Sequence, residues 1–221
     1  MSLKDRIRYA ANPEPRCPAV LLLDTSSSME GAPINELNKG IAVFKENILK
    51  DNTAKKRVEI AVITFGDEPK LIHDFSSIKD FEPPQLETRG FTPMGQAIEL
   101  AIEMVANQKS IYKSHGISYY QPWLFLISDG EPTDDYSNAA KQVRKAAAES
   151  KLCFYAVAVK NANINILTEI APSDTPPLPL DGLKFKELFI WLSDSLRETS
   201  HHDIGEQVAM QTVNTWVKKT A

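Results

Sequence analysis

Four short apolar runs, Ala19 to Leu23, Val58 to Phe65, Trp123 to Ile127 and Leu152 to Val159, alternate with stretches whose apolar residues recur every three or four positions. A run that is apolar on both alternating faces suits a strand covered on both sides. A strand returning in the same direction needs a long crossover, usually a helix. The pattern predicts an α/β fold: a doubly wound, mostly parallel six-stranded sheet with helices on both faces. One strand should be an antiparallel edge strand, because Gly66-Asp67-Glu68-Pro69 reads as a turn and Lys70 to Phe75 returns at once.

The helices follow from their stripes. Ile34, Leu37, Ile41, Phe44 and Ile48 share one face, with Pro33 in the first turn. Ala97, Ile98, Ala101, Ile102 and Val105 form a second stripe from about Pro93. Asn138 to Ser150 is an alanine-rich helix, Ile164 to Ile170 a short one, and Phe185, Leu188, Phe189, Leu192 and Leu196 mark the last clear one. Residues 109–121 read as a polar, tyrosine-bearing loop. The four prolines between Pro172 and Asp181 demand another loop, with room for a brief strand near Leu178 to Leu180. The prolines at 13, 15 and 18 make residues 1–18 an extended arm. Residues 199–221, with Val208, Val213, Trp216 and Val217, read as a docking helix or a mobile end.

The chain has 221 residues, room for one sizeable core. Its formal net charge is -4 and it has no basic stripe, which argues against a nucleic-acid partner. Lys55, Lys56 and Arg57 read as a solvated helix end. No apolar stretch reaches membrane-spanning length. Cys17 and Cys153 are no disulfide framework, and the first residues are too charged for a secretion signal. A cytoplasmic location is expected.

Oxygen-bearing residues cluster where strands should end. Asp24 closes the first run, and Ser26 and Ser28 follow at alternate positions. Thr92 precedes Pro93, and Asp129 follows the third run. Singly, each has a plain explanation. Asp24 could accept backbone hydrogen bonds, the serines could form a turn, Thr92 could cap a helix, and Asp129-Gly130 could be a turn. Together they offer hard oxygens without histidine or cysteine, suited to Mg²⁺, with Mn²⁺ or Ca²⁺ as alternatives. Glu131, Asp134 and Asp135 read as a solvated acidic loop. His73 and His115 stand alone, and His201 and His202 read as a tail pair. Phe189 and Trp191 should be core. Tyr112, Tyr119 and Tyr120 could line a rim or pack within a loop.

The segments Asp-Thr-Ser-Ser-Ser-Met (24–29), Phe-Thr-Pro-Met-Gly (91–95) and Ser-Asp-Gly-Glu-Pro-Thr-Asp (128–134) resemble the von Willebrand factor type A domain with its metal-ion-dependent adhesion site. The resemblance covers about residues 17–198. With Phe-Ile-Trp-Leu-Ser (189–193) it narrows toward the TerY-like single-domain proteins associated with bacterial tellurite resistance. With the arm (1–18) and the tail (199–221) read above, it implies a type A domain over 19–198. It further implies that Ser26 and Ser28 bind Mg²⁺ directly, Thr92 directly or through water, and Asp24 and Asp129 largely through water. The ion would take an Asp or Glu carboxylate from a protein partner. The narrower likeness implies a protein kinase and a protein phosphatase as partners in stress-response signalling. It also implies that partner binding moves Thr92 relative to Asp129 and shifts the last long helix.

An enzyme is the competing reading: a Mg²⁺-dependent phosphohydrolase with Asp24 as nucleophile. Such enzymes place a second acid two residues on. Ser26 stands there, and a serine is a poor proton donor near neutral pH. No nucleotide-binding Gly-rich loop or triad motif occurs either. A third reading is a structural domain whose acidic rim binds nothing.

Overall fold

Every residue of β1 (Cys17–Asp24) and β2 (Val58–Phe65) is buried, as strands flanked by neighbours and covered by helices must be. The computed structural model describes residues 9–129, 131–160, 162–206 and 216–218. β3 (Pro69–Ser77), β4 (Trp123–Ser128), β5 (Cys153–Ala158) and β6 (Leu178–Pro179) complete a six-stranded sheet of order β3-β2-β1-β4-β5-β6. β3 alone runs antiparallel, on the edge. Its pairing with β2 shifts register twice, and such irregularity discourages another strand from adding there.

Helices cover both faces. α1 (Ala32–Leu49) and α6 (Phe185–His201) lie on one side, where Leu37, Ile41, Phe44, Leu188, Phe189 and Leu192 join β1 and β2 residues in one core. Gly40 lets the two helices approach, since a Cβ there would meet the Phe189 ring and the Phe185 carbonyl. A short turn of helix, α2 (Ala54–Arg57), precedes β2. On the other face, α3 (Met94–Ser114), α4 (Ser137–Ala148) and α5 (Ile164–Ile170) pack Ala97, Ile98, Ala101, Val143 and Leu167 against the sheet.

Several boundaries differ from the sequence expectation. β1 begins at Cys17, ahead of Ala19, because Arg16 is already bridged to Tyr119. The stretch 109–121 is not all loop: α3 continues to Ser114, with Tyr112 buried on its inner face. Polar Asn107 to Ser110 masked that continuation. Tyr9–Ala11 form a helical turn rather than extended chain. Residues 1–8, Val208 and Val213 lie outside the described residues. Trp216 is fully buried against Trp191, and its neighbour Val217 bridges Leu180 antiparallel.

A buried ionic cluster ties the amino-terminal segment to the amino ends of the strands. Arg16 Nε donates to Glu59 Oε1 at 2.8 Å, and both residues are about 1% exposed. Tyr112 donates to the other Glu59 oxygen at 2.7 Å. The Arg16 guanidinium also reaches the carbonyls of Glu14 and Asn12. All three tyrosines expected at a rim or in a loop sit at this end. Tyr112 and Tyr120 are buried.

Candidate metal centre

The strand order reverses between β1 and β4, and their carboxyl ends flank the crevice that such a reversal opens. Asp24, the last residue of β1, is completely buried there. Its Oδ1 accepts the Ser26 amide at 2.8 Å, which folds the chain back as an Asx turn. Its Oδ2 accepts the Ser128 hydroxyl at 2.5 Å, which joins the ends of the two strands. Burial pushes the Asp24 carboxyl above its ordinary range. Hydrogen bonds from Ser128 and Ser26 oppose this, and the nearby Asp129 carboxylate adds to it.

A single 3-10 turn, Ser27–Met29, then brings Ser26 Oγ and Ser28 Oγ to 2.8 Å. Ser28 donates its one proton to Asp129 Oδ1 at 2.6 Å. Ser26 must therefore donate to Ser28. Four of the five expected ligands thus form one connected set, Asp24–Ser26–Ser28–Asp129.

Thr92 stands on the third loop, which is stitched to the other two. The Gly90 carbonyl accepts both the amide and the hydroxyl of Ser27, at 3.2 and 3.1 Å. Gly90 has φ +70°, and a Cβ there would run into the Asp67 carboxylate and backbone nitrogen. Only glycine meets both conditions without strain. The Thr92 amide donates to Thr133 Oγ1 at 3.2 Å and its carbonyl accepts the Thr133 amide at 2.9 Å.

The competition for the Thr92 hydroxyl is resolved by Asp134. Its two carboxylate oxygens accept the Gly95 and Gln96 amides, at 3.1 and 2.8 Å, so Asp134 and not Thr92 caps α3. A Cβ at Gly95 would lie 2.7 Å from the Asp135 carbonyl, so glycine permits this approach. The acidic loop is therefore only partly solvated surface. Asp135 accepts the Ser137 amide at 2.8 Å and Glu131 accepts the Asn163 amide group at 3.0 Å.

Sequence reasoning missed one more member, Lys160. Its ammonium donates to the Ser28 carbonyl at 2.6 Å and pairs with Asp129 Oδ2 at 3.1 Å. A lysine just after a strand carries no motif. Only the three-dimensional approach of β5's end reveals it.

The histidines do not stand alone, and His201 is the last residue of α6 rather than part of a tail. His73 meets Ser76, and burial lowers its pKa. His115 packs on Tyr9, His201 meets Asp51 and His202 meets Glu206.

Hydroxyl and carboxylate oxygens fit a hard divalent cation. Among the described residues no group of three or more His, Cys, Asp or Glu side chains is placed to hold a metal, so any ion at this point depends on the serine hydroxyls. The ammonium of Lys160 already marks a position attractive to positive charge. Among the described residues no helix is long and apolar enough to cross a membrane.

Comparison with known proteins agrees with this fold. Solved structures share the fold. The pilus adhesin SpaC from Lactobacillus rhamnosus GG superposes with a TM-score of 0.67 at 14% identity, over 85% of this chain and 31% of that one. BatB from Bacteroides thetaiotaomicron gives 0.55 at 18%, over 83% of this chain and 99% of that one. Proximal thread matrix protein 1 from the mussel byssus, in a structure whose metal-ion-dependent adhesion motif holds zinc, gives 0.56 at 15%, over 84% of this chain and 48% of that one. The chain spans about half the length of the mussel protein. No curated protein matches it. The model of the von Willebrand factor type A domain matches residues 20–180. Domains of that type are typically protein-interaction modules that bind a divalent metal. The chain belongs to the von Willebrand factor type A domain family.

Proposed function

We propose that the chain is a protein-binding module whose contact point is a divalent cation, Mg²⁺ by preference, held by Ser26, Ser28, Thr92, Asp24 and Asp129. The observation that carries this reading is the hydrogen-bonded set Ser26–Ser28–Asp129 at the strand-order reversal. When bound, the cation supplies an electrophilic site for a partner's Asp or Glu carboxylate. Neutral hydroxyls leave most of its charge available. Asp24 orients the first loop through Ser26 and the fourth strand through Ser128. Asp129 orients Ser28. Phe91, 70% exposed beside Thr92, offers the partner an apolar contact at the rim.

Asp24 is a poor nucleophile here. It is fully buried and both its oxygens accept hydrogen bonds. That favours a binding module over a phosphohydrolase.

The narrower likeness to TerY-like proteins supports a cytoplasmic role in bacterial stress signalling, with a protein kinase and a protein phosphatase as partners. We place the domain from Cys17, where β1 begins, to His201, where α6 ends. Affinity capture with the full chain tests the function. A partner should be retained in Mg²⁺, released by chelator, and lost with the Ser26→Ala/Ser28→Ala double variant. Equal recovery under all three conditions would overturn the reading.

A further inference from the structure

We propose that Lys160 is the resident counter-ion of the metal centre, a positioning residue that neutralises Asp129 when no metal is bound and weakens the site's affinity for divalent cations. The inference rests on the metal-binding reading above.

Three observations carry it. The Asp129 side chain is 1% exposed, and its two oxygens have different partners: Oδ1 takes the Ser28 hydroxyl, Oδ2 the Lys160 ammonium at 3.1 Å. A carboxylate so enclosed is costly to bury unless a positive charge accompanies it. The same ammonium donates to the Ser28 carbonyl at 2.6 Å, so one charge spans the loop after β1 and the loop after β4. The backbone also bends to deliver it. Lys160 has φ +54°, one of two described non-glycine residues in the left-handed region. Such a conformation is unfavourable for a lysine and is sustained here by contacts at both ends. Val159 donates its amide to the Ser128 carbonyl at 2.9 Å, which carries the strand register of β4 and β5 up to the lysine.

The consequence is electrostatic. A cation bound among Ser26, Ser28 and Asp129 would share Asp129 with the ammonium, and two positive charges at such range repel strongly in a partly buried site. The lysine therefore stabilises the metal-free protein and opposes the metal-bound one. It also leaves the occupied site more positive than the ligands alone would, which suits an acidic partner group.

The experiment is calorimetric titration of MgCl₂ and MnCl₂ into the full chain, with thermal unfolding in chelator, for wild type, Lys160→Met and Lys160→Arg. In Lys160→Met the divalent affinity should rise about tenfold, while the chelated protein melts at lower temperature. Lys160→Arg should resemble wild type in both. Unchanged or weaker metal binding in a folded Lys160→Met would overturn the counter-ion role and leave the metal site intact. Absence of metal binding in all three proteins would overturn both. If Lys160→Met fails to fold in chelator but folds in MnCl₂, the first half of the role is upheld. If it folds in neither, Lys160→Gln replaces it and is held to the same two readouts.

Discussion

Ser128 donates its hydroxyl to Asp24 Oδ2 at 2.5 Å, bonding the carboxyl ends of β1 and β4 across the line where the strand order reverses. The bond fixes the carboxylate in a position with no access to solvent. It also places an acid whose pKa is raised, chiefly by burial, next to Asp129.

That raised pKa sets a pH dependence. The folded chain holds a proton on Asp24 more tightly than the unfolded chain does. Stability from this group is therefore greatest below the ordinary aspartate value of about 4 and declines as pH rises through the folded value. Asp24→Asn removes the ionisation. In chelator, urea denaturation should show the variant at least as stable as wild type near neutral pH, with a smaller loss between acid and neutral pH. Divalent cations should stabilise wild type and not the variant.

Asp134 is half-buried and holds the first turn of α3 through two amides. Asp134→Ala should cost about 1 kcal/mol in chemical denaturation, the usual worth of such a cap. Because α3 begins two residues after Thr92, the variant should also weaken divalent binding without touching a ligand. Unaltered stability would mean that the cap contributes nothing.

Arg16 and Glu59 form a buried pair at the opposite end of the sheet. Arg16→Met leaves the Glu59 carboxylate without its guanidinium, at a cost of about 3 kcal/mol. Metal affinity should be unaffected, since the pair lies at the amino ends of the strands. Denaturation and cation titration on the same sample separate the two effects.

Gly90→Ala should destabilise the loop that carries Thr92, by about 1 kcal/mol or more, because φ +70° and the nearby Asp67 both oppose a side chain. The melting temperature should fall and the gain on adding Mg²⁺ should shrink.

Much of this arrangement was legible in the chain itself. The helical stripes led by Ile34 and Phe185 and the apolar runs of β1, β2, β4 and β5 follow directly from burial, because a core position leaves little choice of residue type. Even the two-residue strand near Leu178 was foreseeable, since prolines excluded a helix. Asp24, Ser26, Ser28 and Asp129 could be grouped because three segments repeat a recognisable order. The roles of Asp134 and Lys160 were not readable. A cap donated from another loop and an ammonium delivered by a left-handed residue depend on distances between segments remote in sequence. Likewise α3 could be followed only to its polar stretch, since the burial of Tyr112 depends on Tyr9 and Glu59.

Whether the serine hydroxyls hold the cation is decided by calorimetric titration of Mg²⁺ into wild type and the Ser26→Ala, Ser28→Ala and double variants. Wild type should bind one ion saturably, with affinity weakened at least about tenfold by either single change and abolished by the double. Binding of equal strength in wild type and the double variant would contradict a cation held by these hydroxyls.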